Sequence, residues 1–378
     1  RQGSRAMRLT ILQGAFLPVP ALRGGAIEKA WEALGRSFSE QGHEVTHVSR
    51  LCDGLPAEEK IGSVRHLRLK GANAVRNPWI LKFLELSYVM RARRVLPKAD
   101  ILITHAFWAP LFLPAEKFGK LYLHVGRYPK GQIRLYRKAA RFQAPSESVA
   151  KAVIREIPER EDLVTVLPYP LGWKVPESDP LGDRPKRILY AGRLHSEKGV
   201  AELLDAFGRI PETQRAKWTL RIIGPWRENQ GGGGERYLER LKDRQRKYGP
   251  CVEIHEPVFS TAQLIEEYKG ARIFAYPSLA EKGETFGLAI LEAMSCGCVP
   301  FVSSLPCFRE FLEPSRTGFV FDHKRENCID SLQSGLRETL LNESGQETVS
   351  REARKAAKLF ELEEVSELYL KDFALLLA

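Results

Sequence analysis

The stretch that decides the fold is Arg187-Ile-Leu-Tyr-Ala-Gly-Arg-Leu-His-Ser-Glu-Lys-Gly199. It begins with an apolar run typical of a buried strand and leads into an amphipathic helix predicted over Val200–Arg209. Arg193 and Lys198 therefore lie beside a helix amino terminus, where backbone N–H groups and the helix dipole favour a phosphate group. The residues alone permit two interpretations, a phosphate site or a pair of solvated surface cations. A Walker loop is excluded, because its Gly-Lys-Ser/Thr ending is absent.

Apolar runs alternate with amphipathic stretches twice along the chain, which predicts β-α units that build two mostly parallel sheets. The runs of the first series are Leu9–Leu12, Val45–Val48, Ile101–Thr104 and Leu121–Val125, with helices at Ala26–Phe38 and Trp79–Leu96. The runs of the second series are Arg187–Tyr190, Trp218–Ile223, Val252–His255, Ile273–Tyr276 and Val299–Val302, with helices at Val200–Arg209, Arg236–Lys247 and Leu288–Ser295. We expect an α/β protein with two Rossmann-like, doubly wound domains. Because such sheets bind ligands at the carboxyl ends of their strands, we expect the domains to face a central cleft.

Proline and glycine density predicts the boundary between the two domains. Residues 171–185 have the composition of an interdomain linker. Residues 7–170 then form the first domain and residues 186–358 the second. Residues 359–378 have apolar positions at helical spacing, and we expect this C-terminal helix to pack back on the first domain. Four glycines at 231–234 predict a flexible loop with no assigned chemistry.

Composition excludes several classes of protein. The 378 residues are 43% hydrophobic and 28% charged, which excludes disorder as the main state. No uninterrupted apolar run of about 18 residues and no secretory leader pattern is present, so we expect a cytoplasmic protein. Gly3-Ser4 is typical of a cloning remnant, and we expect the natural chain to start at Met7. The six cysteines lack a Cys-x-x-Cys spacing with histidines, so we expect buried free thiols rather than a zinc site or disulfides.

The positive charge of the chain is concentrated in one segment. The net charge is +11, and residues 65–141 alone contain 17 basic and three acidic residues. A segment of this kind suits nucleic acid, an anionic membrane surface or an acidic substrate, and charge alone does not choose among them. Nucleic acid is disfavoured because no basic-aromatic recognition module is evident. A dinucleotide oxidoreductase is disfavoured because neither opening strand is followed by Gly-x-Gly-x-x-Gly.

A second motif is Pro277-Ser-Leu-Ala-Glu-Lys-Gly-Glu-Thr-Phe-Gly-Leu-Ala-Ile-Leu-Glu-Ala-Met294. Glu284 falls in the loop after a predicted strand, and Glu292 lies on the following helix. A carboxylate accepts hydrogen bonds from two vicinal hydroxyls, so this pair suits a ligand that carries both a sugar and a ribose. Residues 285–287 bring backbone N–H groups to the same helix start. The spacing equally permits a capped amphipathic helix with acids in its first turn.

Together the two motifs resemble those of the retaining nucleotide-sugar glycosyltransferases of family 4, which have the GT-B fold. The resemblance is carried by Gly-Arg-Leu-x-x-x-Lys-Gly at Gly192–Gly199 and by the Glu-x7-Glu stretch at Glu284–Glu292. It extends to Gly24-Gly25-Ala-Ile-Glu28, to His105 and to Ala144-Pro-Ser-Glu-Ser148. It covers nearly the whole chain, and its most specific motifs lie in the second domain.

The resemblance implies roles for the matching residues. Arg193 and Lys198 would neutralise the donor diphosphate, which becomes the leaving group. Glu284 would face the transferred sugar, and Glu292 would hold the ribose hydroxyls. The other implied nucleotide-sugar contacts are Gly24, Gly25, Gly192, Thr285, Phe286 and Gly287. Glycine permits close backbone approach to a phosphate, although the pair at 24–25 also fits a simple turn before a helix.

The resemblance also implies a histidine near the sugar and the acceptor. His105 matches this position, and His124, which follows the next strand, is the other candidate. A hydrogen-bonded structural histidine is the alternative for both. The resemblance implies that the anomeric configuration is retained because the acceptor attacks from the face of the leaving group, with a donor phosphate oxygen taking the acceptor proton. We therefore name no enzyme nucleophile. We expect no metal site and no obligatory cofactor, because no Asp-x-Asp pair lies in a suitable loop.

The implied activity is a hexosyl transfer from a UDP- or GDP-sugar to a lipid-linked or anionic saccharide acceptor. A basic face on the first domain suits such an acceptor and peripheral contact with an anionic membrane, unless it is simply a solvated face. Its residues include Arg91, Arg93, Arg94, Lys98, Lys130, Arg134, Arg137, Lys138 and Arg141. We expect Trp79, Phe83 and Leu86 to be core residues rather than membrane anchors. Two alternatives are a nucleotide-sugar epimerase of the same fold, which needs no acceptor, and a noncatalytic module that binds a nucleotide sugar or a polyanion.

Overall fold

A computed structural model describes residues 6–21, 25–75, 77–177, 179–215 and 217–378. The described residues form two compact units. The first contains the residues up to Gly172 together with Glu361–Ala378, and the second contains Trp173–Phe360.

The first unit is built on an eight-stranded sheet with the order β3-β4-β2-β1-β5-β6-β7-β8. The strands are β1 (Arg8–Leu12), β2 (Glu44–Arg50), β3 (Glu58–Ile61), β4 (Val64–Leu69), β5 (Ile101–Thr104), β6 (Lys120–His124), β7 (Arg141–Ala144) and β8 (Val164–Val166). The helices between them are α1 (Ala26–Glu40), α2 (Pro78–Val95), α3 (Ala109–Phe112), α4 (Ala115–Phe118) and α5 (Glu147–Glu156). β3 is antiparallel to β4, and every other neighbouring pair is parallel.

The second unit is built on a parallel six-stranded sheet with the order β11-β10-β9-β12-β13-β14. The strands are β9 (Arg187–Ala191), β10 (Thr219–Ile223), β11 (Val252–His255), β12 (Ile273–Tyr276), β13 (Val299–Ser303) and β14 (Phe319–Phe321). The helices are α6 (Val200–Arg209), α7 (Glu212–Arg215), α8 (Gly234–Tyr248), α9 (Thr261–Lys269), α10 (Leu288–Ser295), α11 (Cys328–Leu341) and α12 (Glu343–Ala357). β9 lies at the centre, between β10 and β12, so the loop that follows it is at the middle of the sheet's carboxyl edge.

The last helix, α13 (Leu362–Leu377), packs on α1 of the first unit. The Trp31 and Tyr369 rings meet edge to face with centroids 5.3 Å apart, and Phe38 and Phe373 meet at 5.5 Å. Buried aromatic pairs of this kind hold helices together through apolar burial and the ring quadrupole. The predicted return of the C-terminal helix to the first domain is confirmed.

The alternating apolar runs of the sequence identify the buried strands and miss those with polar residues. β3, Glu-Glu-Lys-Ile, is a largely exposed edge strand and gives no apolar signal. β4 carries Arg68, which is 2% exposed and pairs with Glu59. A buried, paired arginine cannot be distinguished from a surface arginine in a sequence, because the partner that permits its burial is on another strand.

The prediction that Trp79, Phe83 and Leu86 lie in the core is wrong for the two aromatic residues. Trp79 is 80% exposed, Phe83 is 69% exposed and Leu86 is half-buried. The side of α2 that packs inward carries Tyr88 and Val89 instead. Apolar residues at spacings of three and four show that a helix has an apolar side, but α2 has two such sides, and the sequence pattern does not tell which one is buried.

The six cysteines are free thiols; Cys296, Cys298 and Cys307 are buried as expected, whereas Cys52, Cys251 and Cys328 are only half-buried. Burial raises the pKa of each of these three thiols. None of the helices in the described ranges combines the length and the apolar character that crossing a bilayer requires.

Candidate functional site

The loop from Gly192 to Gly199 leaves the end of the central strand β9 in a fixed shape. The N–H of Gly192 donates to the carbonyl of Ile223 at 3.1 Å, and the N–H of Leu194 donates to the carbonyl of Pro225 at 2.9 Å. Gly199 begins α6 with a φ of 69°, and a Cβ there would lie 2.1 Å from the Pro277 carbonyl oxygen. Only glycine fits this position, because it accepts the left-handed backbone and adds no atom.

Lys198 and Glu284 form a buried ion pair at the carboxyl edge of this sheet. The ammonium of Lys198 donates to Oε1 of Glu284, and the two side chains are 4% and 9% exposed. The hydroxyls of Tyr276 and Ser278 donate to the same oxygen at 3.0 Å each. Burial, then the nearby Glu284 carboxylate, raises the pKa of Tyr276 well above its ordinary value, so its phenol stays a donor. Among the described residues no donor reaches Oε2 of Glu284.

Arg193 lies beside this pair and is held at both ends of its guanidinium. Nη1 donates to the Gly231 carbonyl at 2.8 Å, and Nη2 donates to Glu197 at 3.1 Å. Its side chain remains 40% exposed. The arrangement leaves a fixed, partly exposed cation next to the β9–α6 loop.

The glycine run at 231–234, for which the sequence predicts a loop with no assigned chemistry, contributes to this site. The N–H of Gly233 donates to the Leu194 carbonyl at 2.8 Å, and the N–H of Gly234 donates to the Trp226 carbonyl at 2.8 Å. A Cβ on Gly232 would lie 2.2 Å from the Trp226 carbonyl. The absence of side chains therefore lets this run lie against the β9–α6 loop and receive Arg193.

Glu292 lies on α10 and is 8% exposed. The phenol of Tyr268 donates to its Oε2 at 3.1 Å. Burial, followed by the Glu292 carboxylate, raises the pKa of Tyr268 well above its ordinary value. A buried carboxylate fixed by a phenol suits recognition of hydroxyl groups, which donate to carboxylate oxygens.

Residues 285–287 form the start of α10. The Phe286 side chain is 1% exposed and packs on Phe311, with ring centroids 5.1 Å apart, so its side chain stabilises the fold. Gly287 has a φ of 96°, and a Cβ there would lie 2.7 Å from the Phe308 ring. No acceptor in the described ranges lies within hydrogen-bond distance of the backbone N–H of Thr285 or of Gly287. Unpaired amides at a helix amino terminus can bind oxygen atoms of a ligand.

In the first unit, His105 follows β5 and is half-buried. The N–H of Gly14 lies 3.2 Å from its Nε2, and Oε1 of the Gln13 side chain lies 3.0 Å from the same nitrogen. Burial, followed by the nearby charges of His124 and Arg127, lowers the pKa of His105 to about 3. The ring is therefore neutral near pH 7.

His124, the other candidate, ends β6 and is 3% exposed. Its Nδ1 lies 2.6 Å from Oε1 of Gln143, and its Nε2 lies 2.9 Å from the Tyr169 hydroxyl. Burial lowers its pKa to about 4. Both ring nitrogens are thus occupied by protein partners, which is the geometry of a structural histidine. Of the two candidates, only His105 keeps a ring nitrogen without a partner among the described residues.

The candidate glycine pair of the first unit lies before α1. Gly24 is outside the described residues. Gly25 has a φ of 113°, and a Cβ there would lie 2.2 Å from Oε2 of Glu28. Glu28 is 5% exposed, and burial raises its pKa. Gly25 is required here by the backbone conformation and by the buried carboxylate beside it.

Comparisons with known proteins agree on the type of protein. Residues 173–356 match the family model described as glycosyl transferases group 1. The O-antigen chain mannosyltransferase B of Escherichia coli is 28% identical over 189 residues, which are 50% of this chain and 45% of that protein. The GDP-mannose:cellobiosyl-diphosphopolyprenol alpha-mannosyltransferase of Xanthomonas campestris is 29% identical over 153 residues, 39% of this chain and 37% of that protein. The chain thus spans less than half the length of either relative.

Among solved structures, sucrose-phosphate synthase from Thermosynechococcus elongatus superimposes with a TM-score of 0.78 over 97% of this chain and 100% of that chain, at 19% identity. This likeness shows the fold, and the family model and the two relatives that match parts of this chain are glycosyltransferases. The predicted GT-B fold, with two Rossmann-like sheets, is confirmed.

The family match covers only some of the candidate residues. Every candidate of the second unit lies within residues 173–356: Gly192, Arg193, Lys198, Glu284, Thr285, Phe286, Gly287 and Glu292. The candidates of the first unit, Gly24, Gly25 and His105, lie outside it. The structure adds Tyr276, Ser278, Gly231 and Gln13, which hold the candidates in position and which the motifs do not include.

Proposed function

We propose that this protein is a retaining glycosyltransferase of family 4, which transfers a hexose from a UDP- or GDP-sugar to a lipid-linked or anionic saccharide acceptor. The observation that carries the proposal is the buried pair of Lys198 and Glu284 beside Arg193. A lysine ammonium has three N–H donors, and Glu284 takes one of them. The other two are available to a donor phosphate, and the pair fixes the direction in which they point.

The second unit would bind the donor. Arg193 and Lys198 would bind the diphosphate, because fixed cations stabilise the negative charge that develops on the leaving group. Oε2 of Glu284 would accept hydrogen bonds from the transferred sugar. Glu292 would accept them from the ribose hydroxyls, and the amides of residues 285–287 would donate to sugar oxygens.

The reaction exchanges one C–O bond for another on the same face of the sugar. The bond between the anomeric carbon and the diphosphate oxygen breaks, and a bond from that carbon to the acceptor oxygen forms. The acceptor proton passes to a donor phosphate oxygen, and a nucleoside diphosphate leaves. His105 is neutral, and its Nδ1, which has no partner among the described residues, would form a hydrogen bond with a sugar or acceptor hydroxyl. No enzyme nucleophile and no obligatory metal take part, so activity should survive excess EDTA.

The names of the relatives support the donor and acceptor classes. The Xanthomonas campestris relative is named for a GDP-mannose donor and a diphosphopolyprenol acceptor. The Escherichia coli relative is named for transfer of mannose to an O-antigen chain. A lipid-linked acceptor of this class carries a diphosphate, which suits the basic residues between 65 and 141.

The first experiment is a thermal-shift panel of UDP, GDP, ADP and TDP with their sugar conjugates, since a ligand of the native state raises the melting temperature. Products are then identified with and without a candidate acceptor, and the anomeric configuration is read by NMR. Arg193→Met should lower kcat/KM by about 100- to 1000-fold. Arg246→Met, which removes a 63% exposed cation from α8, is the matched control.

Each alternative predicts a different result in these assays. Conversion of the donor without any acceptor would indicate an epimerase. Binding without turnover would indicate a noncatalytic module. An inverted anomeric centre in the product would contradict retention, and wild-type turnover in Arg193→Met would contradict the assignment of the diphosphate site.

A further inference from the structure

Helix α2 is apolar on two opposite sides, and only one side packs against the first unit. Tyr88 and Val89 are fully buried on the inner side, whereas Trp79 is 80% and Phe83 69% exposed on the other. The exposed residues recur at spacings of three and four and so form one stripe. The stripe, which we call the outer face of α2, consists of Trp79, Phe83, Leu86, Met90, Arg93 and Arg94. A contiguous stripe of exposed apolar side chains is typical of an interaction surface, so the outer face indicates a partner.

The exposed end of this helix is held firmly in place. The Asn77 side chain caps α2, accepting from the N–H groups of Trp79 at 2.9 Å and Ile80 at 3.3 Å. One turn later, the Trp108 indole N–H donates to the Lys82 carbonyl at 2.7 Å. Ile80, next to the outer face, is 50% exposed. The aromatic side chains are therefore presented to solvent by a capped, anchored element and not by a frayed helix end.

The charge on the same face indicates what the partner is. The apolar residues occupy the first turns of α2, and the exposed Arg93 and Arg94 occupy the last turn. The one acid of α2, Glu85, points away from the outer face and accepts the N–H of Phe107 at 3.2 Å. Aromatic and aliphatic side chains next to arginine, without a carboxylate, match the boundary between anionic headgroups and acyl chains. A second copy would instead bring two segments with 17 basic and three acidic residues together.

We propose that the outer face of α2 docks the protein on an anionic phospholipid bilayer. Trp79, Ile80 and Phe83 enter the boundary between headgroups and acyl chains, and Arg93 and Arg94 contact the headgroups. This inference gives the basic first unit a defined contact surface with aromatic anchors. It is independent of the proposed transfer reaction, because vesicle binding requires neither donor nor acceptor.

The test is sedimentation of the full chain with vesicles of phosphatidylcholine alone and with equal parts of phosphatidylglycerol. We expect pelleting with the anionic vesicles, weakened by salt, and a blue shift of tryptophan fluorescence. The double variant Trp79→Ala/Phe83→Ala should bind about tenfold more weakly. Matched controls are Phe259→Ala, at a 55% exposed aromatic residue of the second unit, and Leu375→Ala, at a 73% exposed residue of α13; both should bind like the wild type.

Further measurements exclude trivial explanations. The double variant should keep the wild-type melting temperature, since both side chains are exposed. Arg93→Gln/Arg94→Gln should reduce binding more at low salt than at high salt. Wild-type affinity of the Trp79→Ala/Phe83→Ala variant for anionic vesicles would overturn the proposal. A second result would also overturn it: the wild type self-associates, the Trp79→Ala/Phe83→Ala variant does not, and neither pellets with vesicles. The outer face of α2 would then bind a second copy of the chain.

Discussion

Lys198 and Glu284 are 86 residues apart in the chain, yet their side chains form an ion pair that is almost completely buried. The pair joins the loop after β9 to the loop after β12, which are neighbouring strands of the second sheet. Tyr276 and Ser278 donate to the same carboxylate oxygen, so the charge of Glu284 is stabilised by three donors. A buried ion pair is costly to desolvate, and its presence at the carboxyl edge of a sheet is typical of a functional site.

Breaking this pair from one side should destabilise the second unit. Lys198→Met or Glu284→Gln alone should each cost about 3–5 kcal/mol in the free energy of unfolding, because a buried charge or donor set is left without its partner. The double variant should lose less than the sum of the single variants. Denaturant unfolding of all four proteins gives the coupling energy. Additive losses would show that the two side chains do not stabilise each other.

Gly199 should be irreplaceable for geometric reasons. Gly199→Ala forces a left-handed conformation that costs about 1–2 kcal/mol, and its new Cβ meets the Pro277 carbonyl at 2.1 Å. We expect a lower melting temperature and weaker donor binding, because the loop that carries Lys198 must move. Gly182→Ala is the matched control: it lies in the same unit, and the nearest atom to its Cβ would be 3.4 Å away. Equal behaviour of the two variants would contradict this account.

Gln13 should act as a positioning residue for His105. Its fully buried side chain lies between Nε2 of His105 and Nε2 of His47, at 3.0 and 3.1 Å. Gln13→Leu should lower kcat about tenfold with little change in donor affinity, since only the ring orientation is disturbed. Nitrogen-15 NMR of labelled histidine should show a different tautomer ratio of His105 in the variant than in the wild type, because Oε1 of Gln13 lies beside Nε2.

Gln143→Leu is the matched control for that experiment, because Gln143 bonds His124 in the same sheet. It should change stability without changing the His105 signals. An unchanged His105 spectrum in Gln13→Leu would remove Gln13 from the site.

The first unit should lose stability as the pH falls below about 6.5. Burial lowers the pKa of His47 and His105 to about 3 and that of His124 to about 4. Between these values and 6.5 the unfolded chain binds protons that the folded chain does not. Each histidine therefore contributes stability that is complete above pH 6.5 and is lost at up to about 1.4 kcal/mol per pH unit below it. Hydrogen exchange of β5 and β6 amides between pH 7 and 5 measures this slope, which should be shallower in His47→Leu. An equal slope would contradict the assignment.

Local patterns in the sequence were sufficient for the second unit's architecture and for its motifs. The apolar run at 187–190, the glycine at 199 and the Glu-x7-Glu spacing each reflect a short-range requirement: a buried strand, a left-handed residue, and one acid in a loop followed by one on the next helix. Requirements of this kind are met by residues close together in the chain, so the sequence alone reveals them.

Some long-range relationships could be anticipated only in part. Tyr276 is the last residue of an apolar strand, and its hydroxyl indicates only weakly that a polar partner lies at the strand end. The sequence around Arg68 is that of a surface residue, because its partner Glu59 lies on a different strand. In each case the partner that compensates for burying the polar group lies on a different element.

The sequence by itself determined the α/β class, the order of the strands' apolar runs and the residues that resemble a nucleotide-sugar site. The tertiary structure alone decided that Lys198 pairs with Glu284, that His124 is bonded at both nitrogens while His105 is not, and that Trp79 faces solvent. The physical reason is that hydrophobic periodicity and backbone preference act over a few residues. Burial and partnership depend instead on which elements the fold brings together.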